Sequence, residues 1–270
     1  MISDWEYNKT EYPESYTTHR LFDELEYYEV FYDAIAMDCH RFIPNGVETM
    51  LNYASYIFTS IECTLGSIKM LLKTGKINDA YVLIRKLFDD ILTEIYIDIL
   101  RKDHFDYEEN LIVKDANEWI KGKHRIPCLK KILQTIKDSP TTKDLYSFFE
   151  WDTYLKKDRE LLDDSVHSNR YSRMLINCNQ LYIENREKYL DNASAILRHI
   201  FTVHLSFIFY LNPQYMMDST YIDYLDEGAT PPEGSENWIA VYAQEAFDKY
   251  IKNHTKLTTF IKRNCYLQII

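Results

Sequence analysis

Apolar residues recur at three- and four-residue steps along two neighbouring stretches of the chain, and this spacing predicts amphipathic α-helices. The stripes consist of Leu51, Ala54, Ile57, Ile61, Leu65, Ile68 and Leu72, then of Ala80, Leu83, Leu87, Ile91, Ile95 and Leu100. Thr74-Gly75-Lys76 separates them, with Gly75 at the position of a helix C-cap. Because so short a turn joins two long helices, the sequence predicts an antiparallel helix hairpin.

The rest of the chain is patterned for further helices that are separated by short breaks. A long helix is predicted at about 180–211 and ends at Asn212-Pro213, and 226–236 (DEGATPPEGSE) is predicted to be a loop. Shorter helices are predicted at about 107–121, 128–138, 142–156, 158–167 and 237–252. Glycine (6) and proline (7) are scarce, whereas sheets joined by tight turns consume both. The sequence therefore predicts an all-α helical bundle built around the long hairpin.

These breaks divide the chain into three regions. Residues 1–46 form an acidic, aromatic arm and helix that ends at Pro44-Asn45-Gly46, and residues 47–225 form the helical core. Residues 226–270 form a loop, a C-terminal helix and an apolar tail, which we expect to pack back on the core. A chain of 270 residues is long enough to bury a large core without a disulfide or a metal ion.

Cysteine usage and hydropathy predict a soluble, cytoplasmic protein that does not enter a membrane. The cysteines form no Cys-x-x-Cys pair, which is typical of free thiols in a reducing compartment. The first residues, MISDWEYNKTEYPES, are acidic and polar and do not resemble a signal peptide. The longest apolar run, Ile200–Leu211, contains His204 and is shorter than the roughly 20 residues that span a bilayer.

The formal net charge of −11 argues against a general nucleic-acid coat, because phosphate binding depends on Lys and Arg. The charge is uneven, however, and the stretch 121–143 is strongly basic. Its bases are Lys121, Lys123, Arg125, Lys130, Lys131, Lys137 and Lys143. One interpretation is a solvated helix face. The other is a patch that faces RNA, with Lys121, Lys123, Arg125, Lys130 and Lys131 as the binding residues.

The absence of several motifs excludes the chemistries that need them. The sequence contains no G-x-x-x-x-G-K-[ST] or G-x-G-x-x-G loop for phosphates and no G-x-S-x-G nucleophile elbow. It also contains no H-E-x-x-H and no Glu-x-x-His pair, the motifs of zincins and di-iron bundles. We therefore expect neither a metal ion nor a cofactor.

Arginine and histidine are the remaining residues that could carry chemistry. Metal-independent RNA cleavage needs a base for the 2′-hydroxyl, an acid for the leaving oxygen and a cation for the phosphorane, and His and Arg fill these roles. Arg198 and His204 lie in the long predicted helix, and His167 follows an acidic stretch that begins at Arg159. Arg198, His204 and His167 are the candidate catalytic residues.

Each of these positions also has a structural interpretation. His204 falls on an apolar stripe and is typical of a hydrogen-bonded core histidine, whereas His167 is typical of a surface histidine. Arg85 and Asp89 stand one helical turn apart and predict a structural ion pair. Six residues turn a helix by about 600°, so Arg198 and His204 lie roughly 120° apart on it. A site that uses both would need a neighbouring helix or a second subunit.

Segments of this chain resemble uncharacterised bacterial proteins of the HEPN-like helical superfamily. The hairpin 71–89 (LLKTGKINDAYVLIRKLFD) has a leucine-rich helix, a short glycine turn and then Ala, Arg and an acidic residue one turn later. The stretch 165–169 (SVHSN) is similar to a later Ser-x-x-His-small element of those proteins, and the end 260–270 (FIKRNCYLQII) resembles their closing segment. The resemblance extends over about half of the chain by position.

The resemblance implies a helical bundle, frequent homodimerisation that juxtaposes two motifs, and frequent roles in phage defence or toxin–antitoxin pairs. HEPN ribonucleases typically carry Arg, often a polar residue, then four to six residues and His. Arg198-His199, four residues and His204 fit that spacing, whereas Arg159 and His167 have seven intervening residues. Many superfamily members lack the motif and act as binding or scaffold modules, so the resemblance does not imply cleavage.

The sequence is therefore compatible with three functions. The first is a HEPN-type ribonuclease or RNA-binding protein that acts in phage defence, abortive infection or a toxin–antitoxin pair. The alternative is a non-catalytic helical interaction module, such as a sensor, a scaffold or an antitoxin-like partner of a protein encoded nearby. Its support is the acidic total charge and the 23 tyrosines, which suit wide helix contacts and interface rims. A small-molecule-binding bundle is the third.

Overall fold

The structure is a computed structural model that describes residues 12–178 and 186–270, except for the side chain of Asp152. Within these ranges the secondary structure is helical, and β pairing is limited to isolated bridges. The prediction of an all-α helical bundle is therefore confirmed. The first eleven residues of the predicted N-terminal arm, and the beginning of the predicted 180–211 helix, lie outside the described residues.

The predicted hairpin consists of α3 (Tyr53–Lys73) and α4 (Ile77–His104). Asn52 caps the start of α3 by accepting a hydrogen bond from the Ala54 amide at 3.0 Å. At the turn, Gly75 adopts a left-handed φ of 73°, and the next amide, Lys76, donates to the Leu71 carbonyl at 2.8 Å. Both bonds satisfy backbone groups that a helix end leaves free, so the short turn joins the two helices as predicted.

The helices before and after the hairpin enclose its apolar sides. They are α1 (Glu14–Thr17), α2 (Leu21–Cys39), α5 (Lys114–Ile120), α6 (Leu129–Asp138), α7 (Lys143–Tyr146), α8 (Lys156–Val166), α9 (Tyr171–Leu175) and α10 (Arg186–Leu211). α2 packs along α3, while α8 and α10 pack on α4. α10 also contacts α2, so the core lies between α2, α3, α4 and α10.

The helix α10 is long and apolar enough to cross a bilayer by length and composition, but 72% of its most apolar window is buried inside the bundle. The core helix of a soluble protein meets the same criteria, and this helix alone is weak evidence for a membrane protein. Cytoplasmic localisation stays a prediction.

Two of the shorter predicted helices differ from the structure. The helix predicted at 107–121 is confined to α5, because the Asp106 carboxylate accepts the amides of Glu108 and Glu109 and holds this segment in a turn. The helix predicted at 142–156 is divided into α7 and a π-helical segment, Trp151–Leu155, that runs directly into α8.

The C-terminal region contains α11 (Thr220–Asp226), α12 (Val241–Tyr250) and α13 (Thr255–Asn264). No helix was predicted in the tail that follows the 237–252 helix, and α13 lies within it. α12 packs on α2 and α10, and α13 packs on α10. The Gln268 amide donates to the Asn237 carbonyl at 2.7 Å, so the last residues return to the preceding loop.

Candidate functional site

His204 lies at the centre of the bundle with none of its surface exposed. Its Nδ1 is 2.7 Å from the Tyr32 hydroxyl on α2, and its Nε2 is 3.1 Å from Glu94 Oε2 on α4. Burial lowers the pKa of His204 to about 3 and raises the pKa of Glu94 well above its usual value, with Asp98 adding to the latter shift. Burial therefore favours the neutral form of both groups, and RNA in solution has no access to this imidazole.

A second buried polar cluster lies one turn further along α4, and the sequence patterns do not indicate it. The Asp98 carboxylate accepts from the Tyr53 hydroxyl at 2.6 Å, from Arg101 Nη1 at 2.7 Å and from Asn212 Nδ2. Arg101 also donates to the Asn45 carbonyl at 2.7 Å. This cluster ties the start of α3, the end of α10 and the loop before α3 to α4.

Arg198 faces a different side of α10 from His204. Its Nη2 lies 2.5 Å from Glu24 Oε1 on α2, and its guanidinium stands 5.8 Å from the centre of the Tyr250 ring. The hydrogen bond to Glu24 raises the pKa of Arg198, and the side chain is 46% exposed. Because Arg198 reaches the surface while His204 is sealed inside, the two residues do not share a solvent-open cleft within one chain.

His167 is exposed at the end of α8, where its amide donates to the Asp163 carbonyl at 3.0 Å. The next residue, Ser168, has a left-handed φ of 50°, and it turns the chain away from the helix. Within the described part of the chain, no hydrogen bond involves the His167 ring. The three candidate catalytic residues are therefore in three separate environments.

Arg85 and Asp89 belong to a larger ionic cluster between α4 and α8. Arg85 Nη1 lies 2.5 Å from Asp89, and its Nε lies 2.7 Å from Asp163 on α8. Arg159 on α8 completes the cluster, with Nη1 2.8 Å from Asp89 and Nε 3.8 Å from Asp163. Two cations thus alternate with two carboxylates, and Arg159 is paired here rather than beside His167.

The predicted basic patch is exposed, and its members differ in how they are paired. Lys121 Nζ is 2.5 Å from Glu48, and Lys123 Nζ is 3.9 Å from Glu118. Arg125, Lys130 and Lys131 are also exposed, and within residues 12–178 and 186–270 they form no ion pair. α6 buries Ile132 and Ile136 on its opposite side, which directs its lysines outward.

Sequence reasoning missed an exposed histidine that is oriented by a carboxylate. His199 Nδ1 on α10 is 2.8 Å from Asp158 Oδ2 on α8, and the two side chains are 43% and 16% exposed. When Nδ1 donates to Asp158, Nε2 is left as a hydrogen-bond acceptor. The presence of His199 beside Arg198 was visible in the sequence, but no local signal indicated that α8 would bring Asp158 to it.

The outward sides of α2 and α3 carry large apolar side chains that are exposed. The two helices are antiparallel, since the Ser55 hydroxyl donates to the Ala36 carbonyl and Lys69 pairs with Glu26 and Glu29. The exposed apolar members of this surface, here called the apolar face, are Val30, Met37, Tyr56 and Met70, with Ile43 and Met50 in the connecting loop. Tyr56 and Met70 are 59% and 62% exposed.

No family model, no curated protein and no solved structure matches this chain. The resemblance to HEPN-like proteins therefore stays a prediction. Within the described ranges, no group of three or more His, Cys, Asp and Glu residues is placed to hold a metal ion.

Proposed function

We propose that this protein acts through protein–protein contacts, as a non-catalytic helical interaction module. The observation that carries the proposal is the apolar face, because several large apolar side chains are exposed on the same pair of helices, and exposed apolar surface marks interaction sites in soluble proteins. The burial of His204 supports it further, since a general base for RNA cleavage must reach the 2′-hydroxyl.

The residue pattern on α3 favours a second copy of the chain as one partner. Tyr56, Ser60, Cys63, Ser67 and Met70 follow a four–three spacing, which puts them on one side of the helix over roughly 21 Å. Their sizes are symmetric about Cys63, with a serine and then a large residue on either side. An antiparallel α3–α3 pair would place Tyr56 against the Met70 of the other copy, a favourable thioether–aromatic contact.

Mild oxidation is expected to join two copies through Cys63, because residues at the centre of such a pair face their own equivalents. Cys63 and Cys128 are both exposed cysteines, so the pair provides a matched control. Cys63→Ser should abolish the disulfide-linked dimer on a non-reducing gel, and Cys128→Ser should retain it.

The oligomeric state supplies a second readout that is independent of oxidation. Tyr56→Glu is expected to weaken self-association by at least tenfold in sedimentation equilibrium, since it buries a charge in an apolar contact. Tyr171→Glu is the control, because Tyr171 is 75% exposed outside the apolar face. A wild-type protein that stays monomeric at high micromolar concentration would refute the second copy as partner.

A specific observation also favours RNA binding as a second candidate function. Arg125, Lys130 and Lys131 are exposed cations without ion pairs among the described residues, on a protein with net charge −11. Unpaired cations are the groups that contact phosphates. The acidity of the remaining surface is the reason for ranking this function second.

Removal of two of these charges is expected to reduce RNA binding without affecting the fold. Lys130→Ala/Lys131→Ala should weaken binding of single-stranded RNA by roughly tenfold at 50 mM salt and should lower the salt dependence, because each phosphate contact releases counterions. Lys114→Ala/Lys188→Ala removes the same charge from two exposed positions outside the basic patch. Equal RNA affinity in both double variants, or no binding by the wild type, would exclude the basic patch as the binding surface.

A further inference from the structure

An open cleft of about 760 Å³ lies between the α7 region and α13, away from the apolar face and from His204. Its walls are formed by 144–148 on one side and by the exposed side of α13 on the other. The side chains that line the cleft include Asp144, Phe148, Thr255, Lys256, Phe260 and Arg263. A volume of this size is within the usual range of small-molecule sites, roughly 300–1,000 Å³.

The cleft contains two cations that have no counter-ion. Lys256 and Arg263 are exposed, and neither forms an ion pair with any residue in the described ranges. They stand seven residues apart on α13, so about two helical turns, or roughly 10 Å, separate their Cα atoms. Asp144, on the opposite wall, is the acidic residue of the lining. The cleft therefore favours a ligand that carries negative charge.

Aromatic rings form the apolar part of the cleft. The centres of the Phe148 and Phe260 rings are 5.1 Å apart, and the centre of the Tyr210 ring lies 5.3 Å from that of Phe260. Phe148 and Phe260 line the cleft and are partly exposed. A flat, unsaturated group that packs on these rings would bury apolar area beside the two cations.

The hydrogen-bonding groups distinguish among anionic ligands. The Ser147 and Thr259 hydroxyls already donate to the carbonyls of Asp144 and Thr255. The remaining donors are mainly the ammonium of Lys256 and the planar guanidinium of Arg263, which binds phosphate in a bidentate manner. A phosphate group supplies acceptor oxygens without donors and matches this surplus, whereas a peptide backbone presents donors and acceptors in equal numbers.

We propose that this cleft binds a mononucleotide. Its phosphates contact Lys256 and Arg263, its base packs on Phe148 and Phe260, and the Asp144 carboxylate accepts from an amino or hydroxyl group of the nucleoside. The proposal does not depend on the interaction function or on RNA binding, because it uses neither the apolar face nor the basic patch.

Titration calorimetry of the full-length protein with AMP and ATP tests the cleft. Both nucleotides are expected to bind with one molecule per chain, and adenosine and inorganic phosphate each to bind at least tenfold more weakly. Arg263→Ala and Lys256→Ala are each expected to weaken nucleotide binding by about fivefold or more, the loss of a charge-assisted phosphate contact. Both positions are exposed, so thermal unfolding should be unchanged.

Variants that remove an exposed cation outside the cleft distinguish binding in the cleft from a general effect of the protein's charge. Lys114→Ala removes one exposed cation from α5, and Lys130→Ala removes one from the basic patch; neither should change nucleotide affinity. The proposal is overturned if wild-type protein does not bind nucleotide at millimolar concentration. It is equally overturned if adenosine binds as tightly as AMP, or if all four lysine and arginine variants lose affinity to the same degree.

Discussion

Replacing Asp98 with alanine is expected to destabilise the folded protein by about 3–5 kcal/mol, because a buried charge is left without its partner. Asp98 and Arg101 are 1% and 7% exposed, and the carboxylate is the counter-ion of that guanidinium. It also accepts from Tyr53 and Asn212, which would lose a buried acceptor at the same time. Urea denaturation of Asp98→Ala and the wild type measures the difference in the free energy of unfolding.

Asp103→Ala is the control for this experiment, since Asp103 belongs to the same helix and accepts from the Thr141 hydroxyl at 2.5 Å, but it is only partly buried. Its loss should cost about 1 kcal/mol, the contribution of an ordinary hydrogen bond. If Asp98→Ala is no more destabilised than Asp103→Ala, the buried cluster does not hold α3, α4 and the end of α10 together.

The Glu94–His204 pair is expected to make the stability of the protein depend on pH. Replacing Glu94 and replacing His204 should change this dependence in opposite directions. The pKa of His204 is about 3 in the folded protein and 6.5 in the unfolded chain. Between these two pH values the unfolded chain binds more protons at His204, so stability rises with pH. The folded pKa of Glu94 lies well above 4.5, so the folded protein binds more protons there and stability falls as pH rises. The two contributions therefore oppose each other as the pH rises above about 4.5.

Removing one member exposes the contribution of the other. From pH 5 to 6, Glu94→Gln should gain stability relative to the wild type as the pH rises, and His204→Gln should lose stability relative to the wild type, by at most about 1.4 kcal/mol per pH unit in each case. Urea denaturation at several pH values in this interval gives the slopes. Parallel curves for the wild type and both variants would mean that the pair is not held neutral by burial.

The local features of the sequence were sufficient for the hairpin and for most helix positions. The stripes on α3 and α4, and Gly75 between them, are decided by neighbouring residues, because helical periodicity and turn chemistry act over a few positions. α13 was missed because its apolar stripe is short, with Leu257 and Ile261 as its buried residues. Its three threonines also lower its intrinsic helix propensity, and packing on α10 compensates for this.

The candidate site depended on contacts between distant parts of the chain. The sequence alone determined an all-α chain, the hairpin, an exposed basic stretch and two possible environments for His204. His204 is a buried, hydrogen-bonded residue because Tyr32 and Glu94 contact it, and these residues lie 172 and 110 residues away in sequence. The contact between Asp158 and His199 and the cleft between α7 and α13 also bring together segments that are distant in sequence. Helical periodicity specifies which face of a helix is apolar, but only the packing of the helices decides which polar groups meet and which apolar faces stay uncovered.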